Sequence, residues 1–244
     1  MRSVRIDIEY DGTGYSGWQR QSTGVETVQG TIESVLCRIL QEEVRIDGAG
    51  RTDRGVHARG QVASFATASA MPLPRLMHST NSLLPDSVRV ISTTLAPPGF
   101  HARFSAVARE YRYFLIEQPS AIDGRFSGCS HGKPDLELMN RQAGLLCGTH
   151  DFTAFSREDP QQHSSACTVH TARWYRCGRF LVFRITANRF LRSMVRFLVA
   201  GMVESGTGRV PDSEFERMLT GGARRPGLVP VEASGLFLWK VSYP

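Results

Sequence analysis

The chain has 244 residues, 41% of them hydrophobic, with a formal net charge of +6 and a pI near 9.4. That is enough apolar material for one large domain or two smaller ones, and the basic balance points to a polyanionic partner. The longest apolar run, Phe197 to Val203, is far too short to span a bilayer, so no membrane partner is expected.

Met1 to Asp7 enters a strand pattern at once, so no signal peptide is expected. Val4, Ile6, Ile8 and Tyr10 alternate with Arg5, Asp7 and Glu9, the pattern of a strand covered on one side. It runs into Asp11-Gly12-Thr13-Gly14-Tyr15-Ser16-Gly17-Trp18-Gln19, which reads as a turn-rich loop with two exposed aromatics. The spacing of Val28, Ile32, Val35, Leu36 and Ile39 predicts a helix over 27–40, with Thr27 as its cap. Strands are expected at 44–46 and 61–65. A second helix follows Pro74 and stops at Pro85, and 87–95 reads as a strand. Pro97-Pro98-Gly99 is the best domain boundary.

Residues 109–117 form the next expected strand, with Tyr111, Tyr113 and Leu115 on one face. A helix over 135–146 ends at Gly148, and the polar stretch 156–165 reads as a loop. Residues 173–176 and 180–186 suggest a hairpin. The strongest helical pattern is 190–204, where Arg189, Arg192 and Arg196 recur at spacings of three and four and so share one face. A solvated basic face is the ordinary explanation. Arg196, however, lies among Val195, Phe197, Leu198 and Val199, and a buried arginine requires a carboxylate partner. Asp212 or Ser213 caps a short helix, and 235–243, apolar on both faces, closes the chain as a central strand. Strands and helices mix without regular alternation. The expected architecture is therefore α+β in two halves, 1–99 and 100–244, each a largely antiparallel sheet with helices on one face.

Between the strands expected at 44–46 and 61–65 lies Gly48-Ala49-Gly50-Arg51-Thr52-Asp53-Arg54-Gly55-Val56-His57-Ala58. Its glycines allow close approach to a ligand. A carboxylate flanked by arginines suits a nucleophile or base better than an acid. A turn with a capping aspartate is the ordinary alternative. The dinucleotide fingerprint fails, because Asp53 holds its third glycine position, and no G-x-x-x-x-G-K-[ST] run exists. Phe100-His101-Ala102-Arg103-Phe104 interleaves aromatic and basic residues, which suits bases and phosphates. Two buried phenylalanines beside a surface arginine would read the same way.

Only Lys133 and Lys240 are lysines, and arginine's planar fork suits phosphate and base contacts, although codon bias gives the same skew. Five scattered cysteines, Cys37, Cys129, Cys147, Cys167 and Cys177, read as reduced thiols of a cytoplasmic protein. Cys147-x-x-His150 and Cys167-x-x-His170 are of a type zinc could take, but His150 opens a run that reads as packed structure and no C-x-x-C exists. No metal site is expected.

Gly50-Arg51-Thr52-Asp53-x-Gly55-Val56-His57-Ala58, followed by Gly60-Gln61-Val62, resembles the active-site signature of the TruA-type tRNA pseudouridine synthases. Seven further stretches match that family in order. They are Tyr10 to Gln21, Thr27-Val28-Gln29-Gly30, Phe100 to Ala106, Tyr111-Arg112-Tyr113, His150 to Phe155 with Phe190 to Arg196, and Gly235-Leu236-x-Leu238. The resemblance implies a cytoplasmic, cofactor-free enzyme of the pseudouridine synthase fold, with its cleft between the two halves. It would isomerise uridine to pseudouridine in the anticodon stem-loop of tRNAs (positions 38, 39 and/or 40) and act as a homodimer. It further implies that Asp53 is the nucleophile, that Arg51 enters the RNA and helps flip the nucleotide, and that Tyr111 stacks on the base and takes the C5 proton. Arg196 would pair with the aspartate and Leu236 would line the base pocket. Phe100, His101, Ala102, Arg103, Phe104, Gln162 and His163 would touch the tRNA. The chain departs from the family pattern at Cys167, where an arginine is common, at Phe197, where a polar residue is, and at Glu110, where a basic one is. A non-catalytic RNA-binding protein and a nucleotide-using enzyme are the competing readings.

Overall fold

The computed structural model describes residues 1–21, 24–159 and 164–244, which pack as two compact units. One comprises Met1–Val107 with Leu238–Pro244, the other Ala108–Phe237. Both are α+β with largely antiparallel sheets, as the order of elements in the sequence implied.

In the first unit, β1 (Arg2–Tyr10) lies between β3 (His57–Thr67) and β4 (Val88–Leu95), antiparallel to both, and β2 (Asp47–Gly48) pairs with β3. The C-terminal strand β10 (Leu236–Ser242) neighbours β3 on its other side. The alternation read from β1 holds: Val4, Ile6, Ile8 and Tyr10 are buried, and the residues between them are half-buried. Asp7 on that second face accepts from Arg5 at 2.9 Å and from Ser92 at 2.7 Å. Two helices, α1 (Val28–Leu40) and α2 (Leu73–Leu83), complete the unit. The Thr27 hydroxyl caps α1 by accepting the Gly30 N–H at 3.2 Å. After the Pro97-Pro98-Gly99 turn, residues 100–107 pack in this same unit. The Val107 N–H donates to Ser242 O at 2.9 Å, and the Tyr243 hydroxyl donates to Ala102 O at 2.7 Å.

The strand expected at 44–46 does not form, although Val44 and Ile46 are buried. Their main-chain groups are taken by side chains of α1. The Ile46 N–H donates to Glu33 Oε1 at 3.0 Å, Gln29 Nε2 donates to Ile46 O at 3.0 Å, and the Val44 N–H meets Cys37 Sγ at 3.2 Å. Gln29 also donates to Glu33 Oε1 at 3.0 Å, and Arg20 lies 3.3 Å from Glu33 Oε2. The buried face of α1 thus carries a satisfied polar pair, Gln29 and Glu33, beside Val28, Ile32 and Leu36.

The second unit is built on β5 (Ala108–Ile116), β9 (Phe180–Ala187), β8 (Ala166–Cys177) and β7 (Gly148–Asp151), in that order and antiparallel, with the short β6 (Gly128–Cys129) parallel to β5. Helices α3 (Leu136–Leu145), α4 (Met194–Gly206) and α5 (Ser213–Leu219) supply its other layer. Tyr113, Leu115, Phe183, Ile185, Phe152, Phe155, Phe215 and Met202 form its core. Asn140 on α3 holds both main-chain groups of Trp174 on β8, at 2.8 and 3.1 Å.

The helix expected from residue 190 begins four residues later. Ser193 takes a left-handed conformation, φ 59° and ψ 8°, which breaks the helical repeat before Met194. Arg189 and Arg192 therefore lie outside α4 and do not share a helical face with Arg196. Removing the acceptor of the buried Ile46 N–H tests the polar pair in α1. Glu33→Ala is expected to lower stability by about 2–3 kcal/mol, read as a fall in urea midpoint with an unchanged slope.

Candidate active site

The loop from Ala49 to Val56 connects β2 to β3 and is held from two directions. On the β3 side, the Ala49 N–H donates to Val62 O at 2.7 Å. The buried Gln61 amide brackets Gly50, donating to its O at 2.7 Å and accepting from its N–H at 3.3 Å. On the other side the chain after β1 presses against it. The Tyr10 hydroxyl and Thr52 Oγ1 are 2.7 Å apart, the Trp18 N–H donates to Thr52 O at 3.1 Å, and the Gly55 N–H donates to Tyr15 O at 3.4 Å. The Val56 N–H returns to Asp53 O at 3.1 Å and closes the turn. Thr52 is buried, Asp53 is half-buried, and Arg51 and Arg54 are exposed.

Only glycine fits at the two closest points of this contact. A Cβ on Gly12 would lie 2.0 Å from Val56 O, and one on Gly17, whose φ is +104°, would lie 2.7 Å from Thr52 O. Tyr15 and Trp18, expected to be exposed, are instead buried at 7% and 1% exposure. The Trp18 ring packs 5.9 Å from that of Tyr10 and against the backbone of Gly48, where there is no side chain to exclude it. Beneath the loop the fully buried His57 places Nδ1 3.1 Å from both the Gly12 N–H and Asp11 Oδ1. Without a proton on Nδ1 the ring accepts from the former, and with one it donates to the latter.

The segment Phe100–Phe104 also lies in the first unit, and its residues divide by role. Ala102 is fully buried, its N–H donating to Ser64 Oγ at 3.1 Å, so it anchors the segment and presents no side chain to a ligand. Phe100 stacks on Tyr243 with centroids 4.9 Å apart. Phe104 is 76% exposed, with the His101 ring 4.4 Å away and the Arg103 guanidinium 5.6 Å from its centroid. Gln162 and His163 lie outside the described residues.

In the second unit Tyr111 stands on β5, opposite Ile185 of β9, with its ring edge-on to Phe190 at 5.0 Å and 80°. Two residues along, the buried Tyr113 donates its hydroxyl to Glu232 O at 3.1 Å, and burial pushes that phenol well above its ordinary pKa. This bond ties down the turn Ala233–Gly235 that delivers Leu236, itself 5% exposed, to the start of β10. Arg196, in the first turn of α4, is half-buried and donates from Nε to Val231 O at 2.7 Å.

The departures from the family pattern are each accommodated locally. Buried Glu110 accepts from Arg112 and Arg184, both at 2.8 Å. Phe197 is buried beneath the Arg224 guanidinium, 4.3 Å from its centroid. Cys167 is buried opposite His150, and desolvation pushes its thiol up to about 11.

A family model described as tRNA pseudouridine synthase matches residues 7–105 and 143–244. The chain belongs to the tRNA pseudouridine synthase family. Among its relatives, tRNA pseudouridine synthase A of Chlorobaculum tepidum is 67% identical over 99% of this chain and 98% of its own length. The protein of that name from Chlorobium phaeovibrioides is 54% identical over the full length of both, and that of Pseudomonas aeruginosa 39% identical over 99% of this chain and 85% of its own. The segments matched by the family model contain Arg51, Asp53, Arg196 and Leu236, and Tyr111 falls between them.

The glycines of 11–17 fit a turn-rich loop in the sequence, and in the structure two of them, Gly12 and Gly17, mark contact with the aspartate loop. Gly12→Ala is expected to destabilise the protein by about 1–3 kcal/mol through forced displacement of Val56, seen in denaturant unfolding, and to lower turnover by more than the stability loss explains.

Proposed function

We propose that this member of the family acts on uridines in the anticodon stem-loop of tRNA, with Asp53 as the nucleophile and Arg196 as the cation that balances it. Isomerisation needs an N1–C1′ bond broken and a C5–C1′ bond made, with the C5 proton lost and one gained at N1. A carboxylate serves this by holding the sugar at C1′, or the base at C6, while the base turns. What supports Asp53 is its setting: a loop fixed by hydrogen bonds on both flanks holds a half-buried carboxylate between two exposed arginines. Groups held this rigidly meet the transition state without reorganising. Arg51, exposed on the same loop, is suited to entering the RNA and helping to extrude the nucleotide, a step that must precede chemistry on a stacked base.

Tyr111 is assigned to stack on the flipped base and take the C5 proton, with Leu236 lining the pocket. Exposed Phe104 with His101 and Arg103 offers an aromatic and basic surface to single-stranded nucleotides. By resemblance the active form is a homodimer.

The reading is tested with tRNA transcripts carrying tritium at uridine C5, since isomerisation must release the label. Asp53→Asn is expected to abolish release while leaving tRNA affinity within about twofold, because the amide keeps the shape and loses the nucleophile. Turnover near that of the unsubstituted protein would remove Asp53 from that role, and a chain that releases no label from any anticodon-arm transcript would be an RNA-binding protein only. Tyr111→Phe is expected to keep stacking and to slow release by about 10²-fold or more, the usual contribution of a positioned general base.

A further inference from the structure

The β9–α4 connector is built in a way that the helical pattern of the sequence does not require. A helix starting at residue 190 would satisfy the apolar spacing, yet left-handed Ser193 delays it to Met194. The Met194 N–H turns back to Leu191 O at 3.1 Å, and the Phe197 N–H donates to Ser193 O at 3.1 Å. A non-glycine residue in this conformation is strained and persists only where its surroundings enforce it. Here both ends of the connector are pinned. At Asn188, Oδ1 accepts the Thr168 N–H at 3.0 Å, the N–H donates to Thr168 O at 3.0 Å, and O accepts from Arg109 at 2.8 Å. At the far end the Arg157 N–H donates to Arg192 O at 3.0 Å. Between these pins Phe190 stands off the helix, half-buried, with its ring edge-on to Tyr111.

We propose that Phe190 is a positioning residue for the reaction, fixing the ring of Tyr111 at the angle from which it meets the base. The inference rests on the role assigned to Tyr111 above. Edge-to-face packing is directional, because the positive rim of one ring meets the negative face of the other. It therefore sets the tilt of Tyr111 and not only its location. An aliphatic side chain of equal bulk fills the same space without that directionality. The Ser193 kink then has a purpose: it keeps Phe190 off the α4 axis and against β5, while Arg196 stays in the first turn of the same helix.

The test compares Phe190→Leu with Phe190→Tyr in single-turnover tritium release, with tRNA affinity measured separately. Phe190→Leu is expected to slow release by about tenfold, within the range that small misplacements of a reacting group produce, with tRNA affinity unchanged. Phe190→Tyr, which keeps an aromatic ring, is expected to retain most of the rate. In a Tyr111→Leu background the Phe190→Leu change should have no further effect, because the ring it orients is gone. A Phe190→Leu protein as fast as the original, a loss of affinity that parallels the loss of rate, or an undiminished effect in the Tyr111→Leu background would each overturn the proposal. If the unsubstituted protein releases no label, it is the assigned reaction that fails. If it turns over normally and Phe190→Leu does too, the positioning role fails alone.

Discussion

The site in the first unit depends on one contact, the passage of main chain directly over main chain where residues 11–18 cross residues 52–57. At the closest points no side chain fits, and glycine occupies both. The contact brings the Tyr10 hydroxyl to Thr52, closes the Trp18 and Tyr15 bonds onto the loop, and seals His57 beneath it. Asp53 is then carried on a turn whose neighbours on both sides are fixed, although the segment has no regular structure of its own. Rigidity in such a place comes from saturating the backbone's donors and acceptors, since each buried group must find a partner somewhere.

The same economy recurs at several points among the described residues where a ladder is left unpaired. Amide and carboxylate side chains take over the role of a missing strand. Gln61 does so for Gly50, Gln29 and Glu33 for Ile46, Asn81 for Val90 at 2.9 and 2.8 Å, Asn140 for Trp174 and Asn188 for Thr168. A side-chain amide offers both a donor and an acceptor and so mimics a peptide group. Each side chain satisfies main-chain groups that no neighbouring strand pairs; Gln61 does so beside the Asp53 loop of the first unit, and Asn188 beside the connector that carries Phe190 in the second.

This pattern also explains what could be read in the sequence. Strand β1 and helix α1 were legible because one face of each is apolar and the other polar, so residue type alone reports burial. The 49–56 loop stands out in the sequence by its glycines and arginines and by its resemblance to a known signature, and the structure shows it as irregular chain between β2 and β3. The segment 44–46 was misread because β-branched residues mark burial next to extended chain, whether the partner is a strand or the side chains of a helix. Tyr15 and Trp18 were misread for a related reason: glycines around them looked like solvent-exposed turns, whereas they are where another segment lies flush. The start of α4 was hidden because apolar spacing carries no information about one residue turning left-handed.

The departure at Glu110 shows how local structure can accommodate a change in the sequence. Glu110 precedes Tyr111 on β5, and successive side chains of a strand point to opposite faces, so its carboxylate lies on the other face of the sheet from the Tyr111 ring. The carboxylate does not stand alone: Arg112 on its own strand and Arg184 across on β9 both bind it at 2.8 Å, and Arg173 of β8 lies opposite Arg184 in register. Two guanidinium groups against one carboxylate leave the cluster positive, and Glu110 at 6% exposure presents little of its charge to solvent. Burial of a charge is tolerable only when it is paired and hydrogen-bonded, and both conditions are met here. The carboxylate is thus balanced within its own face of the sheet by two guanidinium groups, one from each neighbouring strand position.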